Sequence, residues 1–163
     1  MRTTVAIAVA ILASASAAFA GPPDRGVLVP GVSLGGVHLG WTKARVEGVW
    51  GAAEGRCRSC RRETLYFNRF AFRPQGAGVE LANGRVVAIF TLWAPAAWRT
   101  ADGLRIGEPL IRLQATYPGT LRTQCAGYAA YQLLGEKAVS VVYVSDDQVW
   151  GFALLRAGRS VCI

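Results

Sequence analysis

The sequence predicts an α+β protein built of two tandem repeats, each a short helix followed by an antiparallel three-stranded meander, with the helices packed on one sheet face. Three observations predict it. First, "GVHLGWTKARVEGVWG" (Gly36 to Gly51) aligns with "GLRIGEPLIRLQATYP" (Gly103 to Pro118) at one constant offset, which sets Gly36 on Gly103, Leu39 on Ile106, Gly40 on Gly107, Arg45 on Arg112 and Trp50 on Tyr117. Second, "VELANGRVVAIFTL" (Val79 to Leu92) aligns in the same order with "VYVSDDQVWGFALL" (Val142 to Leu155). Internal self-similarity of this kind marks a duplicated unit. Third, each helix-period stretch is followed by β-rich runs separated by turn residues, the pattern of a helix laid on an antiparallel sheet.

The chain opens with "MRTTVAIAVAILASASAAFAGPPD". A positive Arg2, an apolar run from Val5 to Ala13 and the Ala18-Phe19-Ala20 pattern read as a secretory signal peptide, residues 1–20, cut between Ala20 and Gly21. Residues 21–163 are then a single secreted domain made of two repeats, about 31–98 and 99–163. In the first repeat Thr42 suits an N-cap, Val46, Val49 and Trp50 recur at helical spacing, and Gly51 stops the helix. Strands are expected at about Thr64 to Asn68, Gly78 to Leu81 and Arg85 to Leu92, with Asn83-Gly84 as a two-residue hairpin turn. The connection "TLWAPAAWRT" leads into the second repeat, where Pro109 suits the first helical turn. There Leu110, Leu113 and Tyr117 share a face, and Pro118-Gly119 ends the helix. Strands follow at about Tyr128 to Leu134, Ala138 to Val144 and Val149 to Arg156, turned at Gly135-Glu136 and Asp146-Asp147. Runs such as "VSVVYV" and "VWGFALL" are apolar on both parities, so the second sheet face is either covered or a contact surface.

The residues supply little chemistry. His38 is the one histidine, which excludes His-rich metal sites, and there is no nucleophile elbow, phosphate loop or dinucleotide fingerprint. No catalytic residue, metal ligand or cofactor is assigned. Basic residues number 18 against 10 acidic ones, a formal charge of +8, and only Lys43 and Lys137 are lysine. That balance favours an acidic partner, although an arginine-rich composition also follows from a GC-rich genome.

Four cysteines, Cys57, Cys60, Cys125 and Cys162, permit three disulfide connectivities. Cys57 and Cys125 fall in the same post-helix loop of the two copies, which favours Cys57–Cys60 with Cys125–Cys162. A four-cysteine zinc site and a CxxC redox centre remain open. The second would draw on Arg56, Arg58, Arg61 and Arg62, whose charges stabilise a thiolate.

The G-x-x-x-G lead into each helix and the "NGRVVAI" hairpin resemble the β-lactamase inhibitory protein-like fold and the BamE (SmpA/OmlA) assembly lipoproteins. The matching positions are Gly36, Gly40, Thr42, Val46, Gly51 and 83–89, with echoes at Gly103, Gly107, Leu113, Asp146 and Val149. The resemblance implies a two-repeat sheet that presents a face to another protein. Gly21 stands where a lipoprotein carries its cysteine, a departure from the second family. The resulting expectation is a monomeric, secreted or cell-envelope, non-catalytic protein-binding module, extracellular or periplasmic. Trp93 and Trp98 are its candidate aromatic anchors, with core packing as the competing role. Arg56, Arg58, Arg61 and Arg62 form a basic rim. The alternatives are a secreted thiol–disulfide oxidoreductase using Cys57 and Cys60, and binding of an anionic polymer through the arginines.

Overall fold

The computed structural model describes residues 25–57, 60–67, 76–92, 97–135 and 137–163. The strands are β1 (Arg25–Val29), β2 (Ser33–Leu34), β3 (Gly55–Cys57), β4 (Glu63–Tyr66), β5 (Gly76–Ala82), β6 (Arg85–Leu92), β7 (Ala97–Thr100), β8 (Leu121–Gln124), β9 (Ala129–Leu134), β10 (Ala138–Ser145) and β11 (Gln148–Arg156). Helix α1 (Lys43–Trp50) lies between β2 and β3, and α2 (Leu110–Thr116) between β7 and β8.

The expected fold class is corrected by this inventory. Strands hold 51% of the described residues and helix 12%, so the protein is mainly β. Its centre is one antiparallel eight-stranded sheet in the order β3-β4-β5-β6-β11-β10-β9-β8, and a second sheet has the order β2-β1-β7. Helices packed on a sheet in repeats do not describe this architecture. Each expected three-strand meander has a fourth strand on its outer side, β3 or β8, and the two series join where β6 pairs with β11, from Gly151↔Leu92 to Leu155↔Ala88. The segment read as a connection contains β7, which runs parallel to β1 from Arg25↔Ala97 to Leu28↔Thr100. A parallel pair between segments so distant in sequence leaves no local periodic trace.

The helices are too short to form a layer. Helix α1 buries Val46 and Trp50 while Val49 stays exposed, and α2 buries only Leu113, with Leu110 and Tyr117 packed partly against the core. The ends of α1 form as the residues require, whereas Pro109 stands just ahead of α2 in extended geometry and Tyr117 caps its end. The Thr42 hydroxyl accepts from the Arg45 amide at 3.4 Å, and Gly51 closes α1 at φ 79°. Asn83 and Gly84, and likewise Asp146 and Asp147, all have positive φ, the geometry of a two-residue primed turn that matches strand twist.

Both helix approaches are tied to the sheet by backbone hydrogen bonds. The Gly40 amide donates to the Val86 carbonyl at 2.7 Å, and the Gly107 amide to the Val149 carbonyl at 2.6 Å. The main core fills the face of the large sheet turned toward the small one. Leu65, Val79, Ile89, Val142, Phe152 and Leu154 there meet Leu28, Leu34, Trp50, Trp98 and Leu104. Trp98 lies against Gly26 and Gly35 so closely that a Cβ on either would fall 2.4 or 2.5 Å from its ring. Trp50 meets it edge to face at 6.0 Å and donates its indole N–H to the Gly35 carbonyl at 2.8 Å.

Candidate functional site

The opposite face of the large sheet carries the candidate site. Strand alternation places Ala88, Phe90, Leu92, Ala130, Val141, Tyr143, Ala153 and Leu155 there in a second apolar cluster. Gly78 pairs with Phe90, and Gly151 with both Leu92 and Tyr143, so the glycines face the same way. A Cβ on Gly78 would lie 2.4 Å from the Phe90 ring, and one on Gly151 would lie 2.8 Å from Leu92 Cδ2. Glycine at these points lets the larger side chains fold down across neighbouring strands. Phe90 thereby reaches Tyr66 on β4, edge to face at 6.2 Å.

Residues 157–163 fold back over part of this face. Val161 packs into the cluster, and the Tyr143 hydroxyl donates to its carbonyl at 2.9 Å. The Tyr128 hydroxyl donates to the Ile163 carbonyl at 2.7 Å and accepts from the Ile163 amide at 2.8 Å. The Cys125–Cys162 disulfide fastens the same segment to the end of β8. Burial pushes the Tyr143 hydroxyl well above the usual phenol range, with Tyr128 and Glu80 adding to it; burial also raises Tyr128. Both therefore stay protonated donors at neutral pH.

Between this strap and the turn closed by Cys57–Cys60 runs a trough of about 740 Å³. Tyr66, Phe90, Leu92 and Trp150 give it an apolar lining, and Arg61, Arg62, Glu80 and Arg159 give it charge. Trp150 arrives through a bulge: Tyr143 pairs with Gly151 and Val144 with Val149, which leaves Trp150 as the extra residue. A bulge re-aims a side chain, and Trp150 packs against Tyr128 at 5.3 Å and Tyr143 at 5.9 Å. On the trough wall Arg159 is hydrogen-bonded through Nη2 to Glu80 Oε2; the two side chains are 19% and 20% exposed. The Arg159 Nε–H is buried without an acceptor among the described residues. Tyr66 has its pKa raised by burial and then by the Glu80 charge.

The sequence-derived residues separate in space. Arg61 and Arg62 line the trough, whereas Arg56 lies on the edge strand β3, paired with Glu63 at 2.6 Å. Arg58 and Trp93 lie outside the described residues. Trp98 is 0% exposed in the main core, so it is no surface anchor; parallel pairing of β7 with β1 places it beneath the small sheet. Both disulfides, Cys57–Cys60 and Cys125–Cys162, are formed, and none of the four cysteines is free. Sequence reasoning missed Tyr66, Glu80, Phe90, Trp150 and Arg159. The two-parity apolar run "VWGFALL" was the available signal for Trp150, since a run of that kind leaves large residues on both faces.

Among the described residues no group of three or more His, Cys, Asp or Glu could hold a metal ion, and no helix is long and apolar enough to cross a membrane. Two disulfides fit an oxidising compartment. Set against known protein families, curated proteins and solved structures, the chain matches none of them.

Proposed function

We propose that this is an exported, non-catalytic binding module that docks another protein through the trough on the second sheet face. The observation that carries the reading is the trough itself, whose lining joins aromatic and aliphatic side chains to arginines. Interfaces favour this combination, because aromatic residues and arginine dominate binding energies. Export rests on the signal-peptide pattern of residues 1–20 and agrees with two disulfides. The resemblance to the inhibitory-protein and BamE families supplies a precedent for a sheet that presents a face to a protein, and nothing about the partner's identity. A thiol–disulfide exchange role has weaker support, since Cys57 ends an edge strand rather than starting a helix that would stabilise its thiolate.

Site-specific photo-crosslinking tests the reading in the source cells. A benzophenone side chain in place of Ser160, exposed on the trough rim, should yield a discrete crosslinked protein. The same group in place of Ile111, 66% exposed on α2 and on the side of the main core, should not. Equal crosslinking from both positions, or none from Ser160, would refute docking through the trough. A polysaccharide adduct at Ser160 would favour the anionic-polymer reading instead.

A further inference from the structure

The charge around the trough is uneven, and this narrows what can occupy it. Arg61 and Arg62 follow directly on the Cys57–Cys60 turn, and neither is ion-paired among the described residues. The Cys57–Cys60 bridge ties Cys60, which directly precedes them, to the end of β3. Among the described residues that line the trough, Glu80 is the one acidic side chain, and it is already occupied by Arg159. Side-chain charges on the lining, three arginines against one glutamate, therefore leave a positive excess next to an apolar floor of low dielectric, where an attracted anion gains more than it would in open water.

Resting on the docking reading above, we propose that the trough takes an extended segment of a partner protein in which an Asp or Glu stands beside a bulky apolar residue. The carboxylate meets the paired guanidinium groups of Arg61 and Arg62, whose planar forks suit a carboxylate better than a compact ammonium would. The apolar neighbour settles against Phe90, Leu92 and Trp150. A highly charged polymer lacks this second element and would leave the floor unused. A purely apolar segment would leave two arginines partly desolvated without a partner, which costs free energy.

The oxidised protein is screened against a positional-scanning library of capped hexapeptides, with heparin as a second probe. Pools fixed as Asp or Glu next to pools fixed as Leu, Ile or Phe should be enriched, and the Arg61→Glu/Arg62→Glu variant should lose at least about tenfold in affinity for them and turn toward basic pools. Both positions are exposed, so the variant keeps its fold, which near-ultraviolet circular dichroism verifies. Enrichment of neutral or basic pools by the unaltered protein, or an unchanged acidic preference in the variant, overturns the proposed chemistry while leaving a docking trough in place. Enrichment of no pool overturns both readings, and heparin binding in that case assigns the arginines to a polymer.

Discussion

The two faces of the eight-stranded sheet are made by alternate residues of the same strands, yet they do different work. On the main-core face stand Val79, Ile89, Val142, Phe152 and Leu154, all buried and closed over by the small sheet. On the other stand Gly78, Ala88, Ala130, Gly151 and Ala153, set between a few large residues and covered only in part by 157–163. The first face is closed to water, whereas the second is closed only beneath the strap. Large branched side chains on the first leave no room for a ligand, whereas small ones on the second leave a depression that Phe90, Leu92 and Trp150 line without filling. Side-chain volume at alternating positions thus separates the closed, tightly filled face from the face that carries the trough.

The largest expected effect lies on the core face. Phe152→Ala should cost about 3–5 kcal/mol in urea unfolding, because a fully buried ring is lost from a site closed on every side. A cost below that of a single methylene would show that the core face is looser than its packing suggests.

Removal of the disulfides separates the strap from the turn. On the chain-entropy model, Cys125→Ser/Cys162→Ser should lower stability by about 4 kcal/mol and Cys57→Ser/Cys60→Ser by about 2, since the first closes the longer loop. Hydrogen exchange should also rise across 157–163 in the first variant alone. Equal losses would mean that the strap is held mainly by Tyr128 and Tyr143.

Gly78→Ala should cost about 1–3 kcal/mol by displacing the Phe90 ring, and it should alter peptide binding to the trough. A neutral effect on both would show that Phe90 is free to move.

The smallest effect is that of alkali. Burial raises the folded pKa values of Tyr66, Tyr128 and Tyr143 above the ordinary 10.0, and Tyr117 is pushed up to about 12 by burial first and by the hydrogen bond its hydroxyl donates to Asp102 at 2.8 Å. Above pH 10 the unfolded chain releases these protons while the folded chain retains them, so stability must fall as pH rises. It should be level with respect to these groups through pH 7–9 and decline between pH 10 and 12. Urea midpoints across that range measure it, and Tyr128→Phe should soften the decline.

Much of the local structure was legible because it depends on neighbours in sequence. Thr42 and Gly51 bound α1, Asn83-Gly84 and Asp146-Asp147 turn hairpins, and the favoured cysteine pairing is the one that forms. Strands β3 and β8 escaped notice because they are three and four residues long and bury no side chain fully, so they show little alternation. Trp98 illustrates the opposite limit. Its residue type suits an interface or a core equally, and only the close approach of Gly26 and Gly35 decides for the core.

The sequence by itself determined the turns at Asn83-Gly84 and Asp146-Asp147, the ends of α1, the cysteine pairing and the alternation that makes two apolar faces. Tertiary structure alone decided that β1 and β7 pair in parallel to roof one face, and that the strap leaves the other partly open. It also decided that Arg61 and Arg62, distant in sequence from Trp150 and Arg159, line the same trough. The physical reason is range. Turns and caps arise within a few residues, whereas strand order and the opposition of two faces are settled by contacts across the whole chain.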